Sequence, residues 1–158
     1  MSSRLTLRKL REDDLKRVKE IRDYCLEYLD TPISYTLKQT IEWYTNTDPE
    51  WLIIEVHGKI VGYIRTSDYD KINKTMYIGA DIHPNFRGYG YAFQGYQKAM
   101  EHFKLVYNLR RYYLKVRVSN FRAYNLYTKL GFKSVGIIPD ALATKTGMID
   151  QVLMYKDI

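Results

Sequence analysis

Between Ile82 and Ala92 the chain reads Ile82-His83-Pro84-Asn85-Phe86-Arg87-Gly88-Tyr89-Gly90-Tyr91-Ala92, a segment that stops a strand and starts a helix through two glycines and a small residue. The β-rich run Thr75 to His83 precedes it. Tyr91 to Tyr107 follows, with Phe93, Tyr96, Met100 and Phe103 on one helical side. Glycines at such a junction let successive backbone N–H groups converge in a concave nest, and the helix dipole adds positive potential, so a phosphate can be held with few side chains. Arg87 would add a charge. The plainer reading is a tight strand-to-helix turn. No Gly-Lys-Ser/Thr follows, which excludes a Walker loop, and the third glycine of a dinucleotide fingerprint is missing.

The rest of the chain supplies a sheet and helices to go with that junction. Leu5, Leu7 and Leu10 alternate as a strand, and the acids of Arg11 to Asp14 open a helix with Asp13 or Asp14 as cap. Leu15, Val18, Ile21, Cys25, Leu26 and Leu29 form one apolar stripe, which predicts a helix up to Thr31-Pro32. A short helix over Leu37 to Tyr44 starts at Thr36. Trp51 to Val56 and Lys59 to Thr66 form a hairpin about His57-Gly58, and polar Asp68 to Lys74 turns the chain into Thr75 to His83.

Arg111 to Val118 alternates Tyr112, Leu114, Val116 and Val118 on one face with Arg111, Tyr113, Lys115 and Arg117 on the other. Phe121 to Leu130 is a helix with Gly131 as its left-handed cap, and Phe132 to Ile138 and Met148 to Tyr155 close the sheet. The expected fold is α/β (α+β), in one domain over residues 1–158 without repeat or linker.

Composition narrows the class further. The 158 residues carry no low-complexity run, and no apolar stretch approaches the roughly 20 residues needed to cross a bilayer. No signal peptide is read at the start, so the cytoplasm is the expected location. The single cysteine, Cys25, sits on the apolar stripe and reads as a buried thiol. The net charge of +7 attracts anions without choosing among them.

Two motifs now carry a resemblance. Arg87-Gly88-Tyr89-Gly90-Tyr91-Ala92 resembles the Gln/Arg-x-x-Gly-x-Gly/Ala pyrophosphate loop of the GNAT superfamily of N-acetyltransferases. Asn120 to Phe132, with Ala123, Tyr127, Lys129 and Gly131, is similar to the family's Asn-x-x-Ala-x-x-x-Tyr-x-Lys-x-Gly-Phe signature at the usual separation. Gly147 to Met154 resembles the closing segment of the branch with ribosomal-protein N-terminal, polyamine and amino-sugar acetyltransferases. The resemblance implies a GNAT-type mixed, twisted sheet of about six to seven strands flanked by about four helices, with a splayed parallel strand pair holding acetyl-CoA.

By that resemblance, backbone groups at Ile82 and His83 pair with the pantetheine arm and polarise the thioester carbonyl. Amides of Gly88, Tyr89, Gly90, Tyr91 and Ala92, with Arg87, hold the pyrophosphate. Asn120 contacts the cofactor while also capping its helix, Ala123 leaves room for the cofactor, and Tyr127 protonates the leaving thiolate. The amine must lose a proton before direct attack in a ternary complex. Many relatives carry a glutamate where this chain has Met76, so Asp81 is the first candidate for base or ammonium anchor, with His83, Glu55 or a water relay as alternatives. No metal is implied.

The expected acceptor is a small-molecule or peptide amine, such as a protein N-terminus or an amino sugar. No membrane partner is expected, and a homodimer is allowed because dimers are common in similar proteins. A non-catalytic acetyl-CoA sensor is the alternative suggested by Met76. Nucleic acid is a more distant one: Arg110 to Tyr113 and Arg122 are basic and aromatic, yet they alternate as the solvated face of any half-exposed strand does.

Overall fold

A computed structural model describes residues 4–158. Seven strands are hydrogen-bonded in the order β1-β2-β3-β4-β5-β7-β6. They are β1 (Leu5–Lys9), β2 (Leu52–Val56), β3 (Lys59–Asp70), β4 (Thr75–Ile82), β5 (Arg111–Arg117), β6 (Lys133–Thr144) and β7 (Gly147–Asp157). The helices are α1 (Leu15–Tyr24), α2 (Leu37–Thr47), α3 (Tyr91–Tyr107) and α4 (Phe121–Lys129). Element order and the mixed sheet agree with the sequence reading. None of the described helices is long and apolar enough to cross a membrane.

The chain divides into two compact units, the first built from residues up to Thr66 together with Gly79–His102. In this unit the apolar stripe of α1 packs Leu15, Val18, Ile21 and Cys25 against Ile53 and Tyr63, with Trp43 and Trp51 alongside. The Trp51 and Tyr63 rings stack at 5.2 Å and 9°. On α3, Gly95 lies directly against Ile54 and Ile64, where a larger residue would collide.

Two details of the first unit differ from expectation. The stripe continues to Leu29, but α1 ends at Tyr24 and Leu26–Tyr28 form a 3-10 turn, so spacing that fits one helix is shared between two. Asp14 caps nothing through α1. Its carboxylate accepts the Arg11 N–H at 2.8 Å and is gripped by Arg8, which also binds Glu55 at 2.7 Å. Burial would raise the Asp14 pKa, and the hydrogen bonds from Arg8 and Arg11 overcome it and hold the carboxyl below its ordinary value.

The second unit comprises Ser67–Ile78 and Phe103–Ile158. Its parallel ladder joins Thr75–Tyr77 to Arg111–Tyr113, and β5 pairs antiparallel with β7 from Arg111↔Asp157 to Arg117↔Gln151. Tyr112, Leu114 and Val116 face inward with Phe103, Leu109, Leu130, Phe132 and Met154. Polar Asp68 to Asp70 belong to β3 rather than to the turn, because backbone pairing in a meander tolerates solvated side chains. β6 likewise runs past Ile138 to Thr144, with irregularities at Ser134/Gly136 and Ile138/Leu142 that obscure its alternation.

Candidate functional site

In the first unit the site starts where β4 ends. His83 N–H donates to the Val61 carbonyl at 2.9 Å, and the His83 carbonyl accepts from Phe86 N–H, so both backbone groups of His83 are taken. Strand alternation turns the N–H and C=O of Ile82 to the other side of β4, away from β3. There the Ile82 carbonyl accepts from Arg87 Nε at 3.2 Å and more weakly from the Cys25 thiol at 3.8 Å. Arg87 Nη2 also reaches Cys25 Sγ at 3.4 Å. Arg87 therefore points inward onto the strand end, whereas the motif alone suggested a charge held over the loop.

The loop itself has the shape its glycines promised. Gly88 and Gly90 have φ of +85° and +79°, a region that L side chains rarely adopt, and a Cβ at Gly88 would meet nothing within 4 Å. The first ladder bond of α3 runs from Gln94 N–H to Gly90 O at 3.1 Å. The N–H groups of the turn before it have no carbonyl to reach within the helix, which suits an anion. Tyr89 and Tyr91 flank the turn with rings stacked at 5.5 Å.

Four titratable groups, Asp81, Tyr63, Cys25 and His83, lie close to this strand end. Asp81 is 5% exposed and is bound by Arg65, whose Nε and Nη2 reach the two carboxylate oxygens at 3.0 and 3.3 Å. Gly79 makes that pair feasible, because a Cβ there would strike the Arg65 guanidinium. The Tyr63 hydroxyl is pushed well above the usual phenol range by burial and then by the Asp81 charge, so it stays protonated. Burial and the Asp81 charge also push the Cys25 thiol up to about 11, consistent with an inert cysteine.

His83 is buried, and its Nδ1 accepts the Asn85 N–H at 3.1 Å, which puts the ring proton on Nε2, 3.8 Å from Glu20 Oε1. Burial and then the Arg17 charge lower its pKa, so the ring is neutral at pH 7. The remaining side-chain base candidate is already paired. Glu55 is committed to Arg8, and Met76 is 2% exposed in the apolar interior opposite Tyr112.

In the second unit, Asn120 Oδ1 accepts the Ala123 N–H at 3.2 Å and caps α4, as its position predicted. The helix ends in a Schellman motif: Phe132 N–H reaches the Tyr127 carbonyl at 2.9 Å and Gly131 N–H the Thr128 carbonyl at 3.0 Å. Gly131 has φ +96°, and the Tyr127 ring meets Phe132 edge-on at 6.1 Å. The signature residues thus build a helix with both ends fixed, and Tyr127 is half-buried on it.

A family model described as the acetyltransferase (GNAT) family matches residues 15–132. The chain belongs to this family. An N-alpha-acetyltransferase of Sulfurisphaera tokodaii is 32% identical over 120 residues, 70% of this chain and 72% of that protein. A spermidine N(1)-acetyltransferase of Vibrio cholerae is 24% identical over 86% of this chain and 83% of its own length. The fold is that of the spermidine N-acetyltransferase from Vibrio cholerae in complex with CoA and spermine, with a TM-score of 0.89, 22% identity and coverage of 97% of this chain and 95% of that one. The protein is an acetyl-CoA-dependent N-acetyltransferase.

Sequence reasoning missed Arg65 as the partner of Asp81, Gly79 as the space it needs, and Glu20 beside His83. Period-two alternation does put Tyr63 and Arg65 on one face of β3, but the register that brings Asp81 to them is a tertiary fact.

Proposed function

We propose that this acetyltransferase modifies the α-amine of a peptide or protein N-terminus, by direct attack of the neutral amine on the thioester in a ternary complex. The observation that carries the choice is the Arg65–Asp81 pair. Both oxygens of the Asp81 carboxylate are already taken by Arg65, and neutral His83 has its open nitrogen occupied by the Asn85 N–H, so neither side chain offers an unengaged acceptor to the amine. Such a site suits an amine that needs little help. An α-ammonium with a pKa near 8 is about a tenth neutral at pH 7, whereas an alkylammonium near 10.4 is less than about a thousandth neutral. The net charge of +7 further disfavours a polycation, and the relative named N-alpha-acetyltransferase supports the same reading.

In this reading, acetyl-CoA supplies the activated acetyl group, and the residues divide the remaining work. Amides of Gly88, Tyr89, Gly90, Tyr91 and Ala92 bind the pyrophosphate, joined by Arg87 once it leaves Ile82. Ile82 offers strand-edge groups to the pantetheine arm. His83 serves by closing the turn with Asn85. Asp81 attracts the ammonium, whose proton passes to water. As the amine nitrogen bonds to the carbonyl carbon and the carbon–sulfur bond breaks, the Tyr127 hydroxyl gives its proton to the thiolate, and the proton then shed by the new amide nitrogen returns through water to the Tyr127 phenolate. Asn120 caps α4 beside the small Ala123, keeping Tyr127 in place.

The test is CoA thiol release from acetyl-CoA across N-terminal peptides, spermidine, glucosamine and a nucleotide amino sugar. Peptides are expected to exceed the others at least tenfold in kcat/KM at pH 7. A tenfold preference for spermidine or either sugar overturns the acceptor assignment.

A further inference from the structure

The solvated face of β5 is more than a strand surface, because the register brings rings from two other strands into line with it. Tyr77 of β4 is paired with Tyr113 of β5, and Tyr113 with Tyr155 of β7, so three tyrosines stand in one cross-strand row. The Tyr77 and Tyr113 ring centroids are 5.4 Å apart. Lys133 of β6 is paired with Tyr155 and extends the row. Cations sit on the rings: Lys115 Nζ is 5.4 Å from the Tyr77 centroid, and the Arg111 guanidinium is 4.6 Å from that of Tyr155 and 5.8 Å from that of Tyr113. Asp157 binds Arg111 at 2.6 Å and the Asp68 charge acts on Tyr77, so Arg111, Lys115 and Lys133 still leave the set net positive.

The same strands turn their other face to the helices of this unit. Tyr112 is buried there beside Lys104 of α3, and Lys156 donates to the Leu130 carbonyl at the end of α4. Tyr77, Tyr113 and Tyr155 remain half-buried, with Lys115 and Lys133 exposed.

We propose that this sheet face binds single-stranded nucleic acid. Aromatic rings on a sheet offer stacking surfaces to unpaired bases, a guanidinium plane does the same, and lysines at the margins meet phosphates. The row crosses four strands, about 14 Å at the usual strand spacing, which is more than one nucleotide covers. An acidic peptide would use the cations and leave the rings idle. The row shares no residue with the loop at Gly88 and Gly90.

The experiment follows the fluorescence anisotropy of a labelled oligo-uridine decamer with the full-length protein from 50 to 300 mM salt, with and without saturating CoA. Binding is expected to persist with CoA present and to exceed that of a duplex of equal length at least tenfold. The Lys115→Glu/Lys133→Glu double variant should weaken it at least tenfold and reduce the salt slope by about 1.4. Tyr113→Leu, with unchanged far-ultraviolet circular dichroism, should weaken it about tenfold with no change in slope. Displacement by CoA would place the strand on the cofactor loop. Equal affinity for duplex, equal competition by uridine monophosphate or polyglutamate, or an unchanged double variant would each overturn the proposal.

Discussion

The turn that leaves β4 and the turn that leaves α4 both depend on glycines at positive φ, and they use them for opposite ends. At Gly88 and Gly90 the surroundings are open, and the nearest atom to a Cβ on Gly90 is Gln94 Nε2 at 4.0 Å. At Gly131 a Cβ would come within 3.1 Å of Lys156 Nζ, which is itself bound to the Leu130 carbonyl. The first turn leaves backbone amides bare at a helix N-terminus, where an anion can use them. The second engages the Tyr127, Thr128 and Leu130 carbonyls in closing a helix C-terminus. One residue type therefore bares the backbone in one turn and encloses it in the other.

The comparison is broken most directly at Tyr127, which sits in the enclosed turn yet is proposed to do chemistry. Tyr127→Phe keeps the ring against Phe132 and removes only the hydroxyl. It should lower kcat by about a hundredfold or more while CoA affinity and the thermal midpoint stay within experimental scatter. An unchanged kcat would leave the α4 turn purely structural.

A stability effect without any ligand effect is expected at Asp14, which lies in the same unit as the Gly88 and Gly90 turn. Asp14→Asn removes a charged acceptor from Arg8 and should cost about 2 kcal/mol in urea unfolding at pH 7. Because the folded carboxyl is held below its ordinary value, its contribution is complete above the unfolded value near 4 and is lost as the pH falls through the folded one. The wild type should therefore lose stability on acidification faster than the variant, with CoA affinity at pH 7 equal in both.

What the sequence revealed follows the same division. Elements with a strong period, such as α3 and β5, and turns fixed by local chemistry, such as Asn120 and Gly131, were readable because their causes lie within a few residues. The end of α1 at Tyr24 was not, since a stripe at three- and four-residue spacing fits an α-helix and a following 3-10 turn alike. The grip of Arg65 on Asp81, the inward course of Arg87 and the alignment of Tyr77, Tyr113 and Tyr155 depend on strand register and side-chain direction. Those are set by contacts between residues far apart in the chain, and no local pattern encodes them.

Exchanging the two turns' glycines for alanine sharpens the contrast. Gly131→Ala places a Cβ against Lys156 in a strained conformation and should destabilise by about 1–2 kcal/mol, with CoA affinity retained. Gly90→Ala carries the same backbone penalty without the clash, so its loss of stability should be smaller while CoA affinity falls. Calorimetric CoA titration beside urea unfolding reads both. Equal effects of the two variants on affinity would abolish the distinction.

The smallest effect separates two duties of one side chain. Asn120 caps α4 through the Ala123 N–H, and Asn120→Ala should cost about 1 kcal/mol, or roughly 2–4 °C for a chain of this size. Serine caps a helix about as well as asparagine but carries no amide, so Asn120→Ser should restore the thermal midpoint. If CoA affinity also returns with serine, the cap is the whole contribution of Asn120. If affinity stays low in both variants, the amide itself touches the cofactor, and the enclosed turn holds a binding residue at its start as well as Tyr127 near its end.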